Sequence, residues 1–220
     1  MRAALKLAVF GASGATGRVF ITHALDRGHV IRAQCRPETP WVAPEGVEVL
    51  RGALDDPTLA RAVVAGADAV LCLFGPRPPH REVFCAAATQ VIVDAMKAKE
   101  VRRLLCLTGA MVGDGHDLVY LTPPARAMAA AFRRARPAAA ADRVGQEAVA
   151  RGSGLAWTLF KPPRLTDEPI VRALTVGPSV RIGLLSSISR ATLADYMLRT
   201  VESNLHLCEA VLMREAPMQR

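Results

Sequence analysis

The chain has 220 residues, 51% of them hydrophobic, with a formal net charge of +8. The apolar share excludes disorder, and no apolar run reaches the roughly 18 residues of a membrane span, so no membrane association is expected. Aromatics make up only 5% and no nucleic-acid module is recognisable, which argues against nucleic acid as a partner.

The length suits one substantial core, read as a single domain over residues 1–220. The 28 basic residues are mostly arginine. That excess fits affinity for cofactor phosphates or acidic substrates, and equally a compositional habit. Met1-Arg2 followed by apolar residues resembles a secretion signal. The run Leu5–Phe10 is short, however, and a glycine pattern follows at once, so a first strand and a cytoplasmic location are expected. Cys35, Cys72, Cys85, Cys106 and Cys208 form no CxxC pair. They read as free thiols, and no metal site is expected.

In chain order, Leu5–Phe10 reads as a strand and Ala15–Arg27 as a helix ending near Gly28. Val30–Cys35 and Val47–Leu50 are strands. Asp56-Pro57 supplies an N-cap and a first-turn proline for the helix Thr58–Ala65. Ala69–Phe74 is a fourth strand, Arg81–Lys99 a helix, and Arg103–Leu107 a fifth strand. Ala125–Arg151 is helical with a break near Pro137. Ala156–Phe160 is a sixth strand, stopped by "KPP". Beyond it, a helix over Ile188–Glu202 capped near Ser189 precedes a late strand in "LCEAVLM". Short apolar runs alternating with helices predict an α/β fold, a doubly wound and mostly parallel Rossmann-like sheet. Residues 163–220 are expected to contribute the substrate side. Nothing in the pattern specifies an oligomeric state.

Gly11, Gly14 and Gly17 lie between the first strand and the first helix. There they suit a sharp turn, close approach of a ligand to backbone, and tight packing of helix on strand. The helix start then offers its free N–H groups to a pyrophosphate, with Gly14, Ala15 and Thr16 expected in the cofactor site and Ser13 and Thr16 able to add hydroxyl donors. No acidic residue ends the second strand, which reads Gln34-Cys35-Arg36. Arg36 can pair with a ribose 2′-phosphate, favouring NADP(H); otherwise it meets only solvent. Phe74 and Gly75 follow the fourth strand, where a turn lies over the cofactor. Thr108 ends the fifth and can reach the nicotinamide ribose.

The stretches "VFGASGATG", "DAVLCLFGPR", "ATQVIVDAMKAKEVRRLLCLTGA", "RGSGLAWTLFKPPRL" and "ISRATLADYMLR" resemble the atypical short-chain dehydrogenase/reductase superfamily. Within it they are similar to the NmrA-like, flavin/biliverdin reductase-like group. The resemblance implies the 2′-phosphate role for Arg36, a pyrophosphate contact for Arg77 (or a solvated loop arginine), and a place beside the nicotinamide for Pro162-Pro163. Several positions depart from the group. Gly52-Ala53 replaces a Gly-Asp pair near the adenine, leaving backbone contacts from Leu54. The Tyr-x-x-x-Lys pair of most such reductases falls on Ala139 and Arg143. Gly109 stands for a serine and Arg164 for a histidine.

Arginine stays charged and is no general acid. Arg143 and Arg164 can instead bind an acidic group or a developing negative charge; alternatively they are a surface helix residue and a solvated loop residue. Tyr120, His116 and Asp117 lie in a loop able to meet a substrate. The expected activity is NADP(H)-dependent hydride transfer to a planar or conjugated small-molecule acceptor, with the proton taken from water. A cofactor-binding redox sensor, or an isomerase or cyclase on the same fold, are the alternatives.

Overall fold

The computed structural model describes residues 3–76, 82–113 and 117–215. β1 (Lys6–Phe10) lies inside an eight-stranded sheet. Leu7 and Val9 enter one apolar layer, and Ala8 and Phe10 enter the other. A strand covered on both faces has no polar side, so its sequence is a continuous apolar run.

β2 (Val30–Cys35) and β3 (Val47–Arg51) extend the sheet to one side of β1. β4 (Ala69–Cys72), β5 (Arg103–Leu107) and β6 (Ala156–Lys161) extend it to the other. These six strands are all parallel. β7 (Arg164–Thr166) and β9 (Ser187–Ser189) form a separate parallel pair. β10 (Glu209–Glu215) joins β6 in parallel, and β8 (Leu174–Gly177) closes the edge antiparallel to β10. The order is β3-β2-β1-β4-β5-β6-β10-β8. Chain direction across the sheet reverses between β1 and β4, which opens a crevice at their carboxyl ends.

α1 (Ala15–Asp26) and α6 (Arg190–Glu202) cover one face. α2 (Pro57–Val64), α3 (Cys85–Ala98) and α5 (Pro137–Gly152) cover the other. Two local signals act as expected. Asp56 caps α2 by accepting from Thr58 N at 2.8 Å and Leu59 N at 3.2 Å. Ser189 caps α6 through Thr192 N at 3.0 Å. The helix break also falls where Pro137 predicts it: α4 (Pro123–Ala135) ends at Arg136, and α5 begins at the proline.

Two expectations need correction. The third helix begins at Cys85, not at Arg81, because the Asp142 carboxylate on α5 caps it there. It accepts from Phe84 N at 3.0 Å, Cys85 N at 2.8 Å and Ala86 N at 2.9 Å. The late strand starts at Glu209, two residues later than "LCEAVLM" suggests, after His206 and Cys208 take left-handed φ values of 56° and 57°. The region after Pro163 holds β7, β8 and β9, which are too short for a sequence pattern. Among the described residues no helix is long and apolar enough to cross a membrane.

Candidate functional site

The crevice is built first by glycine. Gly11 has φ +82°, and a Cβ there would lie 2.8 Å from Leu73 C and Phe74 N, so only glycine lets the end of β1 approach β4 this closely. Gly14 is the N-cap of α1, and no side chain caps the helix among the described residues. A Cβ on Gly17 would lie 2.4 Å from Gly11 O, so that glycine lets α1 sit directly on the turn. The first turn of α1 carries no acidic residue. Its amides therefore open on the crevice with their partial positive charge uncompensated, the usual setting for a bound phosphate.

One cleft of about 1540 Å³ runs along the carboxyl ends of the strands. Small-ligand pockets occupy about 300–1,000 Å³, so this one has room for a dinucleotide and a second molecule. Gly11, Ser13, Gly14, Ala15, Thr16, Arg36, Leu54, Phe74, Gly75, Thr108, Arg143 and Pro162 all line it. Gly17 is buried behind the loop. Arg77, His80 and His116 lie outside the described residues. Arg164 is exposed on β7 and is not among the residues lining the cleft. Tyr120 is also away from the cleft and packs against the cluster of Leu118, Leu121 and Ile182. Tyr196 packs edge-on against Phe160, and burial pushes its hydroxyl pKa up.

At the end of the cleft beside β2, Arg36 is 43% exposed, with Nε 3.5 Å from Glu38 Oε1. Arg18, not singled out in the sequence, also lines the cleft and donates Nε to Ser13 O at 2.9 Å. Ala53, Leu54 and Asp55 form the neighbouring wall.

At the other end, the helix position of the usual lysine carries a different device. Arg143 is 8% exposed. Its Nη1 donates to Gln146 Oε1 at 2.6 Å and to Phe74 O at 3.4 Å, and Nη2 donates to Leu107 O at 3.1 Å. One guanidinium thus ties the chain beyond β4 to the end of β5. Cys85 Sγ lies 3.6 Å from Nη1. Burial pushes that thiol up to about 11, with Arg143 offsetting only part of the effect, so it is protonated at neutral pH and no nucleophile.

One turn on, Glu147 Oε1 pairs with Lys161 Nζ at 2.5 Å, and Nζ also donates to Val112 O at 2.6 Å. Asp142, Arg143, Gln146 and Glu147 are all buried. Together they make α5 a polar strut that fixes the start of α3, the ends of β4 and β5, and the loop after β5. Sequence reasoning missed Asp142, Glu147 and Lys161. Lys161 stands in "KPP", where it reads as a strand stop.

The wall of the cleft beside α4 is apolar. Met111, Val112, Pro163 and Leu165 line it together with Met128 and Phe132, which lie one turn apart on α4. Thr108 Oγ1 donates to Phe160 O at 3.4 Å, a long bond that leaves its oxygen able to accept from a ligand. The residues present fit a dinucleotide, since the α1 terminus opens on the cleft without a side-chain cap and Gly11 and Gly17 bring β1, β4 and α1 close enough to form its floor. Among the described residues no group of three or more His, Cys, Asp or Glu is placed to hold a metal ion.

A family model described as NAD(P)H-binding matches residues 11–204. A reductase of (4-alkanoyl-5-oxo-2,5-dihydrofuran-3-yl)methyl phosphate from Streptomyces griseus is 30% identical over 178 residues. That match takes in 76% of this chain and 54% of the relative, so the chain spans about half of that protein. An uncharacterized chloroplastic protein of Arabidopsis thaliana is 25% identical over 226 residues, covering 96% of this chain and 78% of the relative. Among solved structures, a wide-type short-chain dehydrogenase/reductase of Veillonella parvula in complex with NADP superposes with a TM-score of 0.76. It shares 16% identity and covers 99% of this chain and 98% of that one. The anaerobillin reductase ChuY of Escherichia coli O157:H7 gives a TM-score of 0.78 at 17% identity, covering 98% and 99%.

Proposed function

We propose that this chain, which belongs to the NAD(P)H-binding family and is an NAD(P)(H)-linked oxidoreductase of the short-chain dehydrogenase/reductase type, reduces a flat, conjugated small molecule at the expense of NADPH. The observation that carries this is the uncapped start of α1, walled by close-approach glycines, at one end of a cleft whose other end is apolar. When bound, the reduced nicotinamide supplies a hydride to the acceptor.

The chain's own residues do the rest. The α1 amides hold the diphosphate, with Ser13 and Thr16 beside them. Arg36 pairs with the 2′-phosphate. Thr108 contacts the nicotinamide ribose, and Pro162 stands beside the nicotinamide. Arg143 touches no acid function; it holds the carbonyls of Phe74 and Leu107 so that the ends of β4 and β5 keep one geometry under the cofactor. Met111, Met128 and Phe132 exclude water from the acceptor faces. Ala139, at the position of the usual tyrosine, is buried and donates nothing. The acceptor's proton comes from water, which suits a conjugated acceptor better than a simple ketone. The Streptomyces griseus relative is named for a dihydrofuranone substrate, in keeping with this class.

The test is titration with NADPH and NADH, followed by turnover with flavin and quinone acceptors. Arg36→Ala should weaken NADPH by about tenfold, near the low end for a charge-assisted pair because Glu38 competes and the site is open to solvent. NADH should bind as before. Equal loss for both cofactors contradicts the 2′-phosphate assignment. Tight NADPH binding without turnover across the panel contradicts the reductase reading.

A further inference from the structure

Among the described residues four arginines line the cleft, and three are engaged at the cofactor end or in the floor. Arg18 reaches back to Ser13 O. Arg36 stands beside Glu38. Arg143 is bound to two backbone carbonyls and Gln146. Arg190 is different. Its side chain is 19% exposed, and among the described residues it makes a single bond, Nη1 to Asp167 Oδ1 at 2.5 Å. Its Nε is buried and, among the described residues, has no hydrogen-bond partner. Asp167, the partner it does have, is 83% exposed and also lines the cleft. A guanidinium carries five N–H donors, and leaving buried donors unmatched is costly.

Arg190 is held in place from behind. It opens α6, whose cap is Ser189. α6 is clamped to α1 by Arg27, which pairs with Asp195 and Glu202. Beside it, Leu165 on β7 belongs to the apolar lining, because β7 and β9 pair Leu165 with Ile188 and Thr166 with Ser189. A fixed, under-matched cation therefore stands at the rim of an apolar slot.

Resting on the reductase reading above, we propose that Arg190 is the specificity residue for an acidic acceptor. It receives a phosphate or carboxylate group carried by the conjugated substrate, and Asp167 is the counter-ion that the group displaces. The diphosphate of the cofactor already has the α1 terminus, so this under-matched guanidinium, held among the described residues only by an exposed carboxylate, serves the second ligand. The Streptomyces griseus relative is named for a dihydrofuranone substrate that carries a phosphate ester, in keeping with an anionic handle.

FMN and riboflavin test this, since they share one conjugated ring system and differ by a phosphate. Quenching of flavin fluorescence on the NADP⁺-loaded protein reads binding without requiring turnover. The wild type should bind FMN about tenfold tighter than riboflavin. Arg190→Gln should remove that preference, with riboflavin and NADPH affinities unchanged. Asp167→Asn, an exposed substitution, should act in the opposite direction and tighten FMN by about twofold to fivefold. FMN bound no tighter than riboflavin by the wild type, including no binding of either, overturns the proposal. So does loss of NADPH affinity in Arg190→Gln matching the loss for FMN, which would place the guanidinium on the cofactor. Preferential FMN binding without reduction by NADPH would leave the anion site standing and sink the reductase reading alone.

Discussion

Replacing Lys161 by methionine should lower the unfolding free energy by about 3–5 kcal/mol, the usual cost of removing one partner from a buried ion pair. Lys161 is fully buried at the end of β6, and its ammonium meets Glu147 at 2.5 Å and Val112 O at 2.6 Å. Methionine fills similar volume but leaves the Glu147 carboxylate in the interior. Arg151 Nη2, at 3.8 Å and 37% exposed, offsets only a small part of that charge. Removing both charges, Lys161→Met with Glu147→Leu, should recover most of the loss, because two apolar side chains need no partner. Urea denaturation of the two variants beside the wild type measures this. A single variant within about 1 kcal/mol of the wild type would show that water reaches the pair.

Gly11→Ala should abolish tight NADPH binding, weakening it by at least about tenfold, equivalent to about 1.4 kcal/mol. The same change should destabilise the fold by about 1–2 kcal/mol, the cost of a Cβ in the left-handed region. The two effects share a cause. At φ +82° the new methyl would sit 2.8 Å from the backbone of Leu73 and Phe74, so either the turn rises or β4 retreats. Either shift moves the α1 amides that face the cleft. Gly14→Ala is the informative contrast, since Gly14 has φ −71° and its Cβ would meet only Gly11 O, at 3.2 Å. It should leave the fold nearly intact and affect the ligand more than stability. Chemical denaturation and a cofactor titration on both variants separate the two costs.

What could be read from the chain in advance was what neighbouring residues decide. Three glycines at three-residue spacing, Asp56 before a proline, Ser189 before a helical run and Pro137 within one all act over a single turn. What could not be read was decided by residues far apart in sequence. Asp142 caps a helix 57 residues upstream of it, a bond that no local pattern announces. Arg143 could be placed on its helix but not in the interior, because its partners are carbonyls of Phe74 and Leu107. Lys161 looked like punctuation because its partner Glu147 lies on a different element. Met128 and Phe132 were legible in principle, as an i, i+4 apolar pair on an arginine-rich helix. Arg190 carried no signal, since only the packing of α6 brings it to the cleft.

The central claim is that the diphosphate of NADPH rests on the backbone amides where β1 turns into α1. An ¹H–¹⁵N titration of the wild type with NADPH tests it most directly. The largest amide shifts should fall on Ser13, Gly14, Ala15 and Thr16, with a second group around Arg36 that is missing when NADH is used. Saturable binding that leaves the Ser13–Thr16 amides unmoved would contradict it.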